Sequence, residues 1–351
     1  MNAKRIVAAV LVAVAAGLAG LTTSAAPAAA GAAGASPASP GVSAWTFGAR
    51  GSLTAAHAAG AIDEVQADWY VVRSDGSLVT SSVDPAFVAL AHGAGCRVLA
   101  TVANWSGGGF SARVVHAILS SQAARAKLIA ALTDACAAVG YDGVDLDFES
   151  APAADRDLLS SFVEDLAAAL HTDGRLLAIA VHAKTSEPGD WSGARSEDYA
   201  RLGAAVDEFQ VMTYAYSGAW SGPGPIAPTG WMDRVMDFAV TQVDPAKVWL
   251  GVPFYGCDWW PHGAAEITWR QADHRRLAHH AHSTRTASKE ARFTYRDARG
   301  KHTVYFQDRT ALAAKLDVLT SRHPDLGGVA IWVMGGEDSR FWPLIARRLA
   351  R

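Results

Sequence analysis

Short apolar segments bounded by turn residues alternate along this chain with longer amphipathic segments. The short segments have the length and composition of β-strands. In residues 124–139 and 154–170, apolar side chains recur every three to four positions, which predicts helices. The predicted strands are residues 42–47, 64–72, 97–103, 143–148, 176–182, 208–214, 248–253 and 327–332. Eight strands that alternate with helices indicate an α/β protein built as a (β/α)8 TIM barrel.

One stretch does not fit this alternation. Residues 259–308 are polar and rich in His and Arg, so we predict a small insertion after the seventh strand of a barrel that spans residues 41–351. Within it, residues 275–282 could bind a metal or an anion, but we favour a solvated surface helix. Because no CxxC pair or His/Cys ligand spacing is present, we predict no metal site and no cofactor.

The N-terminal segment has the pattern of a secretory signal peptide. Lys4 and Arg5 precede an apolar run over residues 6–21, and small residues follow. We predict that residues 1–30 are removed and that residues 31–40, rich in Ala, Gly, Ser and Pro, are a linker. The mature protein is then expected outside the cell or at the cell wall, without a membrane anchor. An uncleaved anchor is the alternative.

Export permits disulfide bonds, but the chain has only three cysteines, Cys96, Cys136 and Cys257. Cys96 precedes the third predicted strand, and Cys136 lies near the end of the following helix. Both positions fall at the bottom of a β/α barrel. A Cys96–Cys136 bridge and two buried free thiols are both compatible with this placement.

Charge and composition limit the choice of ligand. The chain has 31 basic and 34 acidic residues, a net charge of −3. This balance gives no electrostatic reason to expect nucleic acid as a partner, and we expect a monomer. The 12 Trp residues could stack on ring-shaped ligands or pack in the core.

The most informative segment is the fourth predicted strand. Because side chains alternate along a strand, Asp145, Asp147 and Glu149 share one face. In a barrel this face points inward and rises towards the C-terminal mouth, where barrel active sites lie. Crowding three carboxylates raises the pKa of at least one of them, and general acid catalysis requires a carboxyl that is protonated near neutral pH. A cation-binding acid row is the alternative interpretation.

The segment from Asp142 to Glu149 fits the pattern DGxDxDxE and resembles the signature of family 18 glycoside hydrolases, the chitinase-like enzymes. The resemblance extends over about residues 42–348. The segment 212–214 is similar to the MxY motif of the sixth strand, and 328–332 to the eighth strand with its terminal Trp. Residues 217–228, 251–256 and 332–338 most resemble the branch of bacterial spore-germination and cortex-lytic N-acetylglucosaminidases.

This resemblance implies a mechanism without an enzyme nucleophile. Glu149 would protonate the glycosidic oxygen while the substrate's 2-acetamido oxygen attacks the anomeric carbon. Asp147 would orient the acetamido group, Asp145 would tune Asp147, and Tyr214 would donate its hydroxyl to the acetamido oxygen. Trp332 would stack under the sugar. The expected partner is a polysaccharide that contains N-acetylglucosamine, either chitin or peptidoglycan. A non-catalytic carbohydrate-binding protein is the alternative.

Other residues on the mouth side could contact sugar or could pack loops. The residues that we predict to bind substrate besides Trp332 are Met212, Trp45, Asn104, Trp105 and Trp259. Trp220 and Trp260 are weaker candidates on the same side.

One position departs from the family pattern. Relatives commonly carry Asp or Glu directly after the Tyr of the sixth strand, where this chain has Ala215. Because a nearby negative charge favours the protonated general acid, its loss is expected to shift the basic limb of the pH–rate profile towards acid. Glu337 or Asp338 could replace that charge.

Overall fold

Eight parallel strands form the centre of the protein in a computed structural model that describes residues 39–80 and 82–351. The strands are β1 (Gly41–Thr46), β2 (Glu64–Val72), β3 (Arg97–Ala103), β4 (Gly143–Asp147), β5 (Leu176–His182), β6 (Glu208–Met212), β7 (Val248–Pro253) and β8 (Gly328–Trp332). Each strand pairs with the next, and β1 pairs with both β2 and β8, which closes the barrel. The predicted (β/α)8 barrel is therefore confirmed, with strand bounds that differ by at most two residues.

Helices cover the outside of the barrel. They are α1 (Arg50–Ala58), α2 (Pro85–Gly93), α3 (Ala112–Leu119), α4 (Gln122–Val139), α5 (Arg156–Thr172), α6 (Ser192–Arg195), α7 (Tyr199–Ala205), α8 (Thr229–Gln242), α9 (Trp269–Ala278), α10 (Arg309–Asp317) and α11 (Phe341–Arg348). The two helices predicted from periodicity are α4 and α5. The Ser121 hydroxyl caps the start of α4, and Gly140, at φ +85°, ends it.

The segment after β7 forms a small antiparallel sheet with α9 beside it. Its strands are Tyr255–Trp260, Gly263–Thr268, Thr284–Arg285, Ala291–Asp297 and Gly300–Phe306. The sheet begins at Tyr255, four residues before the predicted start at 259, because its first strand is buried and lacks the polar composition of the rest. Within residues 275–282, which we predicted as a solvated surface helix, α9 ends at Ala278. Arg275 lies 3.5 Å from Asp258 and His279 stacks on Tyr295, so this segment packs against the sheet.

The predictions for the N-terminal segment, for a membrane anchor and for the cysteines concern regions outside the barrel strands. The signal peptide and residues 31–38 of the linker lie outside the described residues. Among the residues that the structure describes, no helix combines the length and the apolar character needed to cross a membrane. The Cys96–Cys136 bridge is not formed: both are buried free thiols, because Cys96 Sγ faces the Ile62 carbonyl at 3.8 Å and Cys136 Sγ faces the Gly143 carbonyl at 3.6 Å.

Candidate active site

The row of acids on β4 and its extension runs from the barrel interior to the mouth. Asp145 is fully buried, Asp147 is 6% exposed, and the Glu149 side chain is 23% exposed. Gly143 allows β4 to approach β5, since a Cβ there would lie 2.2 Å from the Leu176 carbonyl oxygen. The predicted alternation therefore holds, and it places the most accessible carboxyl at the open end.

Asp145 is fixed by side chains from β1, across the barrel interior, and from the neighbouring strand β3. Trp45 Nε1 donates to Asp145 Oδ2 at 2.7 Å, and Thr101 Oγ1 donates to the same oxygen at 2.8 Å. Burial raises the pKa of Asp145 to about 6, although these two hydrogen bonds oppose the rise. Asp145 is thus held in place beneath Asp147.

Asp147 occupies the most unfavourable environment for a charge. Burial, followed by the charges of Glu149, Asp145 and Asp68, holds the pKa of Asp147 well above its usual range, while His182 acts in the opposite direction. Its Oδ1 is buried and has no hydrogen-bond partner within the described part of the chain. An acetamido N–H could supply that partner.

Tyr214 lies beside this row. Strand β6 ends at Met212, two residues before the predicted end, and Tyr214 follows it with 8% exposure. Burial, then the charges of Tyr255 and the three acids of β4, raises the pKa of Tyr214, so its hydroxyl remains a donor. Gly251 on β7 makes room for the ring, because a Cβ there would lie 3.0 Å from Tyr214 Cε1.

Aromatic side chains form two layers at the base of the barrel mouth. Trp332, at the end of β8, is partly exposed, and its ring meets the edge of Trp45 at a centroid distance of 5.7 Å. Met212 and Trp249 complete this cluster. Trp45 is only 2% exposed, so it supports Trp332 and Asp145 from below and offers little surface to a sugar, which corrects its predicted role.

The structure also changes the interpretation of two other predicted binding residues, Asn104 and Trp259, and leaves that of Trp105 as it was. Asn104 is fully buried: its Nδ2 donates to the Glu149 carbonyl oxygen at 2.8 Å, and its Oδ1 accepts from the Glu149 amide at 2.9 Å. Asn104 therefore fixes the backbone of Glu149. Trp259 is 4% exposed and its Nε1 donates to the Gly218 carbonyl oxygen, so it packs the loop after β6. Trp105 is 44% exposed and stays available to a ligand.

Sequence reasoning missed His182, Glu197 and Asp68. His182 Nε2 lies 3.2 Å from Glu149 Oε2, and its Nδ1 lies 2.6 Å from Glu197 Oε1. On β2, burial and then the charge of Asp145 raise the pKa of Asp68 to about 7. His182 ends the fifth predicted strand, and a polar residue at the C-terminal end of a barrel strand was a signal that could have identified it.

The surroundings of Ala215 explain how the chain leaves β6. Ala215 has φ +59°, so the backbone bends directly after Tyr214. Glu337 accepts from Trp342 Nε1 at 3.0 Å, and Asp338 is paired with Arg340, so both are engaged within their own loop. Glu266 of the insertion lies closer to the site: although this residue is exposed, partial desolvation and then the charge of Glu149 raise its pKa.

Comparisons with known proteins identify the family of this chain. Residues 71–337 match the model of glycosyl hydrolases family 18. The putative sporulation-specific glycosylase YdhD of Bacillus subtilis is 34% identical over 270 residues, which cover 75% of this chain and 63% of YdhD. The cortical fragment-lytic enzyme of the same organism is 24% identical over 255 residues, which cover 70% of this chain and 58% of that protein. The chain thus spans about three fifths of the length of these two relatives.

Solved structures give the same result. The chitinase from Chromobacterium violaceum superposes with a TM-score of 0.81 at 27% identity, over 89% of this chain and 99% of that chain. The Bacillus cereus spore cortex-lytic enzyme SleL shares the fold with a TM-score of 0.80 at 22% identity, over 90% of this chain and 75% of that chain. The chain belongs to glycosyl hydrolases family 18.

Proposed function

We propose that this protein is a secreted hydrolase that cleaves β-1,4-linked N-acetylglucosamine glycans, in chitin or peptidoglycan, with retention of configuration. The observation that carries the proposal is Asp147: it is buried with a raised pKa and an unpartnered Oδ1, and it lies directly below Glu149. A buried acceptor of this kind suits an acetamido N–H.

The first chemical step divides among three residues. Glu149 donates its proton to the glycosidic oxygen, so the leaving sugar departs as an alcohol. The acetamido oxygen of the substrate attacks the anomeric carbon and forms an oxazolinium ion. Asp147 accepts the acetamido N–H and stabilises the positive charge, while the Tyr214 hydroxyl donates to the acetamido oxygen.

In the second step, water attacks the anomeric carbon from the opposite side and opens the oxazolinium ring. The Glu149 carboxylate takes a proton from that water, which restores the starting state. Two displacements at one carbon give net retention, so the first product is the β-anomer.

The mouth of the barrel supports a polymeric sugar as the substrate. Five exposed aromatic side chains lie on the loops that follow β1, β3, β5 and β6: Phe47, Trp105, Trp191, Tyr216 and Trp220. Aromatic rings stack on the apolar faces of sugars. The names of the relatives, a chitinase and cortex-lytic enzymes, favour the same substrate class. Export rests on the pattern of residues 1–30.

Product analysis on both chitin and peptidoglycan tests this proposal. We compare the mature protein with Glu149→Gln and with Glu164→Gln, a matched control on the outside of α5, where Glu164 pairs with Arg201. We expect Glu149→Gln to lower turnover by at least ~10²-fold while polymer binding survives, and Glu164→Gln to behave as the wild type.

Equal release by the wild type and Glu149→Gln would overturn the proposal. Binding of both polymers by a wild type that releases no product would favour the non-catalytic alternative. Proton NMR of the earliest product gives the stereochemistry, and an α-anomer would contradict the substrate-assisted mechanism.

A further inference from the structure

An imidazole bridges the general acid to a second, buried carboxylate. His182 is the last residue of β5, and its side chain is 12% exposed. Its Nε2 lies 3.2 Å from Glu149 Oε2, and its Nδ1 lies 2.6 Å from Glu197 Oε1. The mechanism proposed above assigns no task to either His182 or Glu197.

Glu197 is built to hold this ring. It is 2% exposed, and its carboxylate also accepts from the His182 backbone amide at 3.0 Å. The Glu197 backbone carbonyl accepts from Arg156 at 2.8 Å and from Lys184 Nζ. Because side chain and main chain are both anchored, Glu197 fixes the position of the imidazole.

The walls around the imidazole are equally defined. The Trp191 ring meets His182 edge-on at a centroid distance of 4.5 Å, and the Tyr199 hydroxyl donates to the His182 carbonyl oxygen. Trp191 therefore packs against the imidazole, and Nε2 has Glu149 as its hydrogen-bond partner.

The charge of the imidazole follows from its neighbours. Burial by itself would lower the pKa of His182, but the charge of Glu197 and the hydrogen bonds to Glu149 and Glu197 raise it to about 10. Asp147 on β4 is also close enough to interact, since His182 lowers the pKa of Asp147. Burial raises the pKa of Glu197, and the charges of His182 and of Lys184, beyond β5, oppose that rise.

We propose that His182, held by Glu197, is the positioning residue of the general acid. This inference rests on the proposed function and deepens it. When Glu149 is protonated, His182 Nε2–H donates to its carbonyl oxygen and leaves the carboxyl O–H free to point at the glycosidic oxygen. After the proton has left, the same contact becomes an ion pair that stabilises the Glu149 carboxylate until water returns a proton.

This arrangement has a consequence for pH dependence. A cation beside Glu149 favours its charged form, so the protonated form is lost at a lower pH than it would be without His182. Ala215, in the position where relatives have an acid, acts in the same direction. Removal of the His182 charge should therefore move the basic limb of the pH–rate profile to higher pH.

Three variants separate the hydrogen bond from the charge. His182→Gln keeps an N–H near the position of Nε2 and removes the charge; His182→Ala removes both; Glu197→Gln removes the charge that holds the ring protonated. The control is His171→Gln, because His171 pairs with Asp207 at 2.9 Å at the far end of α5.

We expect the basic limb to rise by about one pH unit in His182→Gln and His182→Ala, and by less in Glu197→Gln. We expect kcat to fall at least ~10-fold more in His182→Ala than in His182→Gln, because only Ala releases the carboxyl from its geometry. The control should leave both quantities unchanged. An unmoved basic limb in a folded His182→Gln protein would overturn the proposal.

NMR titration tests the same inference without substrate. The carboxyl carbon of Glu149, assigned by its absence in Glu149→Gln, should titrate at a higher pH in His182→Gln than in the wild type. The ring nitrogens of His182 should keep the shifts of an imidazolium at pH 8. A neutral ring at pH 7, or an unchanged Glu149 midpoint, would refute the inference. Absence of hydrolysis on both polymers would instead refute the proposed function.

Discussion

Both ends of the barrel interior contain buried carboxylates, but the two ends treat them differently. At the end where the strands begin, which we call the floor, Glu64 on β2 and Glu208 on β6 lie 3.0 Å and 2.7 Å from the same Arg97 guanidinium. At the mouth, Asp145, Asp147 and Glu149 are stacked along one strand, and the nearest cation is the His182 imidazole. The floor pairs its carboxylates with a guanidinium that stays charged, whereas the mouth pairs its acids with an imidazole.

The floor shows that a barrel can bury two carboxylates to which no catalytic role is assigned. Burial and then the charge of Glu208 raise the pKa of Glu64, but Arg97 opposes both effects. The Arg97 side chain is 43% exposed, so it reaches from these buried carboxylates to solvent. Its guanidinium remains charged at any physiological pH. A buried acid cluster becomes a site only where a ligand can enter and where protonation can change.

Asp147→Asn is the strongest test of this contrast. Turnover should fall by about 10²–10³-fold, because the oxazolinium charge loses its partner.

The same variant also tests stability. The folded-state pKa of Asp147 lies above its unfolded value, so its contribution to stability is present at low pH and lost as pH rises. Asp147→Asn should therefore unfold at higher urea concentration than the wild type at pH 8, with a smaller difference at pH 4. Glu208→Gln at the floor should keep kcat, and a loss of activity there would remove the contrast.

Arg97→Leu tests the floor alone. It leaves two buried carboxylates without their cation, so the free energy of unfolding should fall by about 2–3 kcal/mol while kcat of the folded protein is unchanged. The loss should grow from pH 5 to pH 8 as Glu64 and Glu208 ionise. Arg113→Leu on the exposed face of α3 is the control, expected within about 0.5 kcal/mol of the wild type in urea unfolding. A lower kcat in folded Arg97→Leu would show that the two ends are coupled.

Asn104→Ala sharpens the role of the backbone at the mouth. Because Asn104 holds both the amide and the carbonyl of Glu149, its loss should lower kcat about 10-fold and leave KM unchanged. Steady-state kinetics separates the two parameters. A higher KM with the same kcat would instead restore the substrate-binding role that the sequence suggested.

Ala215→Asp should have the smallest effect. A carboxylate after Tyr214 would favour protonated Glu149 and move the basic limb upward by a fraction of a unit to ~1 unit. Asp tolerates the left-handed backbone of this position, and Ala215→Asn provides a neutral control of the same shape. An unchanged pH profile would indicate that Glu266 already supplies the charge.

The sequence predicted the fold well because strands and helices have local periods. The eight barrel strands and the helices α4 and α5 follow from residue patterns within short stretches of the sequence. The deviations lie where local pattern and packing disagree. Residues 255–258 lie before the predicted insertion because only Asp258 among them is charged, yet they pair with the insertion sheet. Strand β6 was predicted two residues too long, because the Thr213 amide turns back onto the Val211 carbonyl oxygen at 2.8 Å directly after Met212.

By itself, the sequence determined the acid row, since a period of two places Asp145, Asp147 and Glu149 on one face of any strand. It could not determine what surrounds that row. Trp45 reaches Asp145 across 100 positions, Asn104 clamps Glu149 across 45, and His182 meets Glu149 across 33. Such contacts are set by closure of the barrel, which brings the ends of distant strands together at one mouth. Only the tertiary structure therefore decided which groups surround each buried acid and which side chains contact Glu149.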